Sequence, residues 1–288
     1  MSDTHAVHAP SGVEEALALL AAMPDALPLA GGASLVAMMN AGLVEPGSLV
    51  ALRHIEALRA VRRLEDGTVE LGAMRRHRET AEETDLPGGQ SVLRHAARQI
   101  ANPTVRNMGT LGGSIALDDP GADYPAALVA ADATVLLAGP GGERAIPAAD
   151  FFVDWYTTAL EPGEIILGVR LPPAAAGSTG HYEKLARISG DFAMASIALQ
   201  VAWQDGAIAF IRVAVGGCGP RPIRLASAEG LLTGSRGDAA AVARAGALLA
   251  EASDPVDDVR ASADYRRRVL PRLLARAIDA TRRVREAA

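Results

Sequence analysis

The chain has 288 residues, 49% of them hydrophobic, enough for about two or three compact lobes with buried cores. Lys and Arg total 28 against 34 Asp and Glu, and the net charge of -6 gives no electrostatic basis for binding nucleic acid or an anionic membrane. A single cysteine, Cys218, can form no internal disulfide and cannot furnish the thiolate set of an iron-sulfur cluster, so any such cluster belongs to another chain.

No basic stretch leads into an apolar run at the start of the chain, and apolar runs elsewhere are shorter than the roughly 18 residues of a membrane span. A soluble, cytoplasmic protein is expected. Val13, Ala16, Leu17, Leu19 and Leu20 follow helical spacing, with Ser11 a candidate N-cap and Pro24 beyond the end. Leu27 to Ala30 reads as a strand, Gly31-Gly32-Ala33-Ser34 as a turn, and Leu35 to about Ala41 as a helix.

Short strands are predicted over Ser48 to Leu52, Ala60 to Leu64 and Thr68 to Leu71, with Asp66-Gly67 turning a hairpin, followed by a helix over Ser91 to Ile100. Asn102 to Pro125 is aperiodic and rich in Gly, Asp and Pro, which predicts a long ordered loop with a functional role. Strands resume at Ala133 to Leu137 and Glu164 to Leu171, and Pro172 to Gly180 reads as an interdomain linker. Ala195 to Trp203 and Ala207 to Val215 flank Asp205-Gly206 as a hairpin, and three helical patterns complete the chain.

Two glycine pairs carry the chemistry. Gly31-Gly32 lets a ligand approach the backbone and delivers successive N–H groups to a helix start, forming an anion nest that Ser34 can cap or extend with its hydroxyl. Thr110-Leu111-Gly112-Gly113-Ser114 repeats the pattern, and two facing nests suit a pyrophosphate. Neither loop matches GxGxxG or the lysine-containing phosphate loop. Asp118, Asp119 and Asp123 follow the second loop; their spacing does not fit an EF-hand, and hydrogen bonding to a ribose or turn formation at Asp119-Pro120-Gly121 accounts for them equally well. His54, His77, His95 and His181 are scattered without metal-ligand spacing, and Cys218 reads as a small buried thiol. Lys184 is the only lysine in an arginine-rich chain, marking either a place that needs a compact ammonium or a residual surface lysine.

Taken in order, AGGASL at Ala30 to Leu35, VRNMGTLGGS at Val105 to Ser114, DPGADYPAAL at Asp119 to Leu128, FFVDWYTTALEPGEIIL at Phe151 to Leu167 and SADYRRRVL at Ser262 to Leu270 resemble the FAD-binding medium subunits of the carbon monoxide dehydrogenase and xanthine dehydrogenase (molybdenum hydroxylase) family. The resemblance spans nearly the whole chain. It implies an α+β fold: an FAD-binding domain of the vanillyl-alcohol-oxidase type over residues 1–175, with lobes of about 1–55 and 56–175, and a C-terminal domain over 176–288 with an antiparallel sheet and helices.

The resemblance also implies site residues. Leu29 to Leu35 (Leu29, Ala30, Gly31, Gly32, Ala33, Ser34, Leu35) and Thr110, Gly112, Gly113 and Ser114 would hold the pyrophosphate and ribityl regions of FAD, and Asp123 the adenosine ribose. Ile100, beside Ala101, would lie against adenine, Ile166 near the isoalloxazine, and Lys184 beside the flavin ring, where a cation would favour the reduced cofactor. Asp191 and Phe192 would belong to a loop covering the ring, and Ser114 stands where Asn is common. No residue is implied as a covalent catalyst or metal ligand. The implied function is electron transfer from an iron-sulfur partner subunit through FAD to an external acceptor, with substrate oxidised on a molybdopterin partner subunit, in a dimer of heterotrimers. A free-standing flavin reductase or oxidase and a nucleotide-binding scaffold are the competing expectations.

Overall fold

The computed structural model describes residues 6–286, with side chains through Arg283. The outermost parts of the two assigned domains, residues 1–5 and 287–288, lie outside the described residues.

The first lobe alternates strand and helix: β1 (Ala6–His8), α1 (Val13–Ala22), β2 (Ala26–Leu29), α2 (Leu35–Asn40) and β3 (Ser48–Ala51). Its strands form a parallel sheet in the order β1-β3-β2, with Ser48 opposite both Ala6 and Ala26. Covered on both faces, the central β3 is buried throughout. Helix α1 lays Ala16 and Leu20 on a core with Val50, Leu52 and Ile55. Ser11 does not cap α1; Gly12 occupies that position, while the Ser11 N–H and hydroxyl donate to the Glu15 carboxylate.

The second lobe is a five-stranded sheet, β4 (Val61–Arg63), β5 (Val69–Gly72), β6 (Thr134–Gly139), β7 (Gly142–Pro147) and, after the small hairpin β8 (Phe152–Asp154) and β9 (Thr157–Thr158), β10 (Ile165–Leu171). The order β4-β5-β10-β6-β7 is antiparallel at every pair, with β10 at the centre. The helices between β5 and β6 are α3 (His77–Glu82), α4 (Ser91–Arg98), α5 (Pro103–Met108), α6 (Leu111–Leu117) and α7 (Asp123–Ala130), and the single-turn α8 (Ala148–Phe151) follows β7.

The stretch from Asn102 to Pro125 is therefore not a loop but α5, α6 and the start of α7. These helices are too short to show a hydrophobic period, and capping defines them. The Asn102 side chain accepts from the Val105 N–H at 3.0 Å with Pro103 in the first turn, and the Thr110 hydroxyl accepts from the Gly113 N–H at 3.2 Å.

The C-terminal sheet runs β11 (Ser178–Leu185), β12 (Ala195–Gln204), β13 (Ala207–Gly216), β14 (Ile223–Arg224), and α9 (Ala226–Leu232), α10 (Ala239–Glu251) and α11 (Ala263–Glu286) follow. The expected linker ends earlier than Gly180, because β11 begins at Ser178 and Gly180 pairs with Gln200. Alternation along β12 explains why both of its faces are buried. Ala195, Ile197, Leu199 and Val201 pack with α9–α11, whereas Ala198 joins Tyr182 and Ala214 in the core beneath α4 and α7. Sharing that face of β11, Tyr182 and Lys184 project toward the first domain.

Candidate functional site

The first loop leaves β2 at Leu29 and turns into α2 through Gly31 and Gly32. Gly32 adopts φ +74°, and a Cβ on Gly31 would sit 2.0 Å from the Met108 carbonyl oxygen, so this turn is seated directly on the end of α5. Among the described residues the amides of Gly31, Gly32, Ala33 and Ser34 have no hydrogen-bond partner within the chain. Ser34 makes no cap hydrogen bond, which leaves its hydroxyl free as well.

The second loop differs. The Leu111 N–H donates to the Arg75 carbonyl, Gly112 to Ala73, Gly113 to the Thr110 hydroxyl and Ser114 to the Thr110 carbonyl. Gly112 has no room for a side chain, since its Cβ would lie 2.5 Å from that of Ala73. The second loop is thus not an open anion nest. It is a capped helix start pinned to the end of β5, and it faces the first loop, with a Gly113 Cβ position only 3.3 Å from the Ala30 Cβ.

Between the loops lies a cleft of about 570 Å³, within the range of small-molecule and cofactor sites. Of the residues singled out in the sequence, Ala30 to Leu35, Ile100, Ala101, Thr110, Gly112, Gly113, Ser114, Asp123, Ile166 and Phe192 line it. Leu29, Lys184 and Asp191 do not: Leu29 belongs to β2, Asp191 is exposed on the loop before Phe192, and Lys184 lies behind the wall. Ala101, at φ 43°, donates its N–H to the Gly190 carbonyl, and the Arg106 guanidinium caps the carbonyls of Ile100 and Ala101, fixing this corner of the cleft.

Lys184 does not present its charge to the cleft. Its side chain is 3% exposed, and its Nζ lies 2.9 Å from Asp123 Oδ1 and 2.7 Å from the Gln99 carbonyl oxygen. The Tyr182 hydroxyl donates to the same carboxylate at 2.8 Å. Burial pushes the Asp123 carboxyl up, and the Lys184 ammonium and Tyr182 hydroxyl pull against that shift. With ammonium and carboxylate paired, the site carries little net charge, and Asp123 alone reaches the cleft.

Other residues also line the cleft: His77, left by the sequence as a scattered histidine, Glu164, given no role there, and Asp119, expected in a turn or against a ribose. His77, from α3, bonds through Nδ1 to the Tyr124 hydroxyl at 3.2 Å; burial and the Arg106 charge lower its pKa to about 4, so it is neutral near pH 7. Glu164 is gripped by Arg144 at both carboxylate oxygens, which holds its carboxyl below the usual range. Asp119 accepts from the Gly121 N–H and the Tyr156 hydroxyl. The Asp119 turn was legible locally, whereas His77 and Glu164 reach the cleft only through the fold. Cys218 is buried far from any nucleophilic role, its thiol pushed up by burial to about 12.

A parallel strand-turn-helix lobe facing an antiparallel lobe, with free amides on one side of a mainly apolar cleft, is suited to binding a dinucleotide cofactor. The residues present fit FAD: unsatisfied N–H groups for a pyrophosphate, apolar walls at Ile100 and Ile166 for ring systems, and a buried carboxylate at Asp123 for a hydroxyl. A family described as the FAD-binding domain in molybdopterin dehydrogenase matches residues 3–174, and the carbon monoxide dehydrogenase flavoprotein C-terminal domain matches residues 180–281. The carbon monoxide dehydrogenase medium chain of Hydrogenophaga pseudoflava is 36% identical over 274 residues, covering 95% of each chain. A solved structure of carbon monoxide dehydrogenase from that organism superposes with a TM-score of 0.92 at 37% identity, covering 97% of this chain and 98% of the other. Quinoline 2-oxidoreductase from Pseudomonas putida 86 gives 0.90 at 31% identity, with 96% and 95% covered. The chain belongs to the FAD-binding medium-subunit family of the molybdenum hydroxylases, which are oxidoreductases.

Proposed function

We propose that this chain is the electron-transfer subunit of a molybdenum hydroxylase complex, taking electrons from an iron-sulfur partner subunit and passing them through FAD to an external acceptor, while a molybdopterin partner subunit oxidises the substrate. The observation that carries the reading is the run of free amides at Gly31 to Ser34 facing the Thr110–Ser114 loop across a cleft of FAD-sized proportions. Bound there, FAD supplies both one- and two-electron chemistry. The single buried cysteine supports placing the cluster on another chain.

In this reading the Gly31–Ser34 amides, with the Ser34 and Ser114 hydroxyls, hold the pyrophosphate. Asp123 accepts a hydrogen bond from the adenosine ribose, and Lys184 pairs with its carboxylate from behind. Ile100 packs on adenine and Ile166 beside the isoalloxazine, with Phe192 at the edge of the cleft. Neutral His77 adds no charge that would compete with the amides for the phosphates. We assign the flavin domain to residues 1–175 and the C-terminal domain to 176–288, and infer a cytoplasmic dimer of heterotrimers. Among the described residues no helix is long and apolar enough to cross a membrane.

Purification of the tagged chain from its native host tests the proposal. The expected product is a complex whose visible absorbance bleaches when substrate is added, with iron and molybdenum on companion chains. A stable, FAD-containing single chain that turns over substrate would make it a free-standing flavin enzyme. A preparation without flavin absorbance would leave a nucleotide-binding scaffold.

A further inference from the structure

At the edge of the cleft, the C-terminal domain reaches back over the flavin domain. Phe192 lines the cleft yet remains 42% exposed. Its loop is anchored on both sides: the Ala101 N–H donates to the Gly190 carbonyl, and the Ala193 N–H to the Gly121 carbonyl. The backbone thus holds the loop, but only packing holds the ring. Over that ring, 5.2 Å from its centroid, stands the Arg260 guanidinium, contributed from 68 positions further along the chain.

Arg260 has its own mounting. Asp258 accepts from the Arg260 and Ala261 N–H groups at 2.9 and 3.0 Å, closing a turn, and the same carboxylate oxygen takes the Arg266 guanidinium at 2.6 Å. Arg266, a buried residue of α11, also donates to the carbonyls of Met194 and Gly217. The Arg260 guanidinium itself reaches Asp258 Oδ2 at 3.4 Å, a loose exposed contact, while the backbone bonds and Arg266 fix the turn to the C-terminal core. Desolvation at the turn raises the Asp258 carboxyl, but its backbone and Arg266 hydrogen bonds outweigh this and hold it ionised, with a pKa lowered to about 2. Val259 beside it is 90% exposed and does not line the cleft.

We propose that Arg260 is a positioning residue that holds Phe192 across the edge of the FAD cleft, so that the C-terminal domain sets how readily FAD leaves and how readily an external oxidant reaches it. This rests on the reading of the cleft as the FAD site. An exposed cation–π contact biases the ring between closed and open positions by about two- to fivefold, which makes it a control on access and not a lock. Dioxygen is a suitable probe oxidant: it takes two electrons and two protons from the reduced cofactor and becomes hydrogen peroxide.

The test uses the intact flavin-loaded complex and four variants: Arg260→Ala, Arg260→Lys, Phe192→Ala and the double change Arg260→Ala with Phe192→Ala. FAD release after dilution is followed as the rise in free-flavin fluorescence, and reoxidation by dioxygen in a stopped flow. Arg260→Ala should speed both by about two- to fivefold at unchanged Tm, with Arg260→Lys in between. Phe192→Ala should speed both at least as much, and the double variant should match Phe192→Ala alone, because Arg260 acts only through the ring. Wild-type release and reoxidation in Arg260→Ala, or a double variant whose effects multiply, would overturn the proposal while leaving FAD in the cleft. Absence of flavin absorbance from the wild-type complex would overturn the FAD reading and this inference together.

Discussion

Removing the Lys184 ammonium leaves the Asp123 carboxyl buried without its counter-charge, and removing one member of a buried pair costs about 3–5 kcal/mol. Lys184→Met should therefore lower the free energy of unfolding in denaturant by an amount of that order, and adding Asp123→Asn should recover part of it. Equal stability of Lys184→Met and wild type would contradict the pairing. Protonation adds a second residue-level effect. His77 falls from its ordinary 6.5 to about 4 on burial, so between those values the unfolded chain binds a proton that the folded chain does not. Its contribution is intact above pH 6.5 and is lost as pH falls toward 4, by at most about 3 kcal/mol. His77→Gln should flatten the acid limb of a Tm-against-pH profile, while an unchanged limb would assign the acid sensitivity to other groups.

Among elements, the short helices α5 and α6 decide whether the two loops meet. Gly31 rests on the Met108 carbonyl at the end of α5, so a methyl group there, as in Gly31→Ala, must push the first loop off its seat. FAD retained through gel filtration, read from the ratio of visible to ultraviolet absorbance, should drop in Gly31→Ala with circular dichroism unchanged. Asn102→Ala removes the cap of α5 and should cost about 1 kcal/mol. The same elements mark how far sequence reading reaches. The hairpin β12–β13 was legible because Asp205-Gly206 supplies its turn and alternation runs along both strands. Helices α5 to α7 were not, because each has too few turns to show a period, and their capping residues look the same as those of an ordinary loop. Both glycine pairs were found, but that Gly112 serves packing on Ala73 and leaves its amide bonded inside the protein depends on a contact 39 positions away.

For the whole molecule, the C-terminal sheet is both a domain of its own and the back wall of the cofactor site, since Tyr182 and Lys184 on β11 hold Asp123 on α7. The family resemblance gave Asp123 and Lys184 roles at different parts of the cofactor; their pairing spans 61 positions and two domains, which no local signal encodes. A chain cut after residue 175 should consequently fail to retain FAD and should expose the apolar surface of α4 and α7, detectable as aggregation. A soluble 1–175 fragment with bound FAD would contradict that dependence.

The central claim is that the free amides of the first loop hold the FAD pyrophosphate. An experimental density map of the FAD-loaded complex measures it most directly. The account predicts phosphate oxygens at about 2.7–3.2 Å from two or more of the Gly31 to Ser34 nitrogens, with the cofactor extended toward Phe192. A pyrophosphate bound elsewhere, with those amides facing solvent, would contradict it.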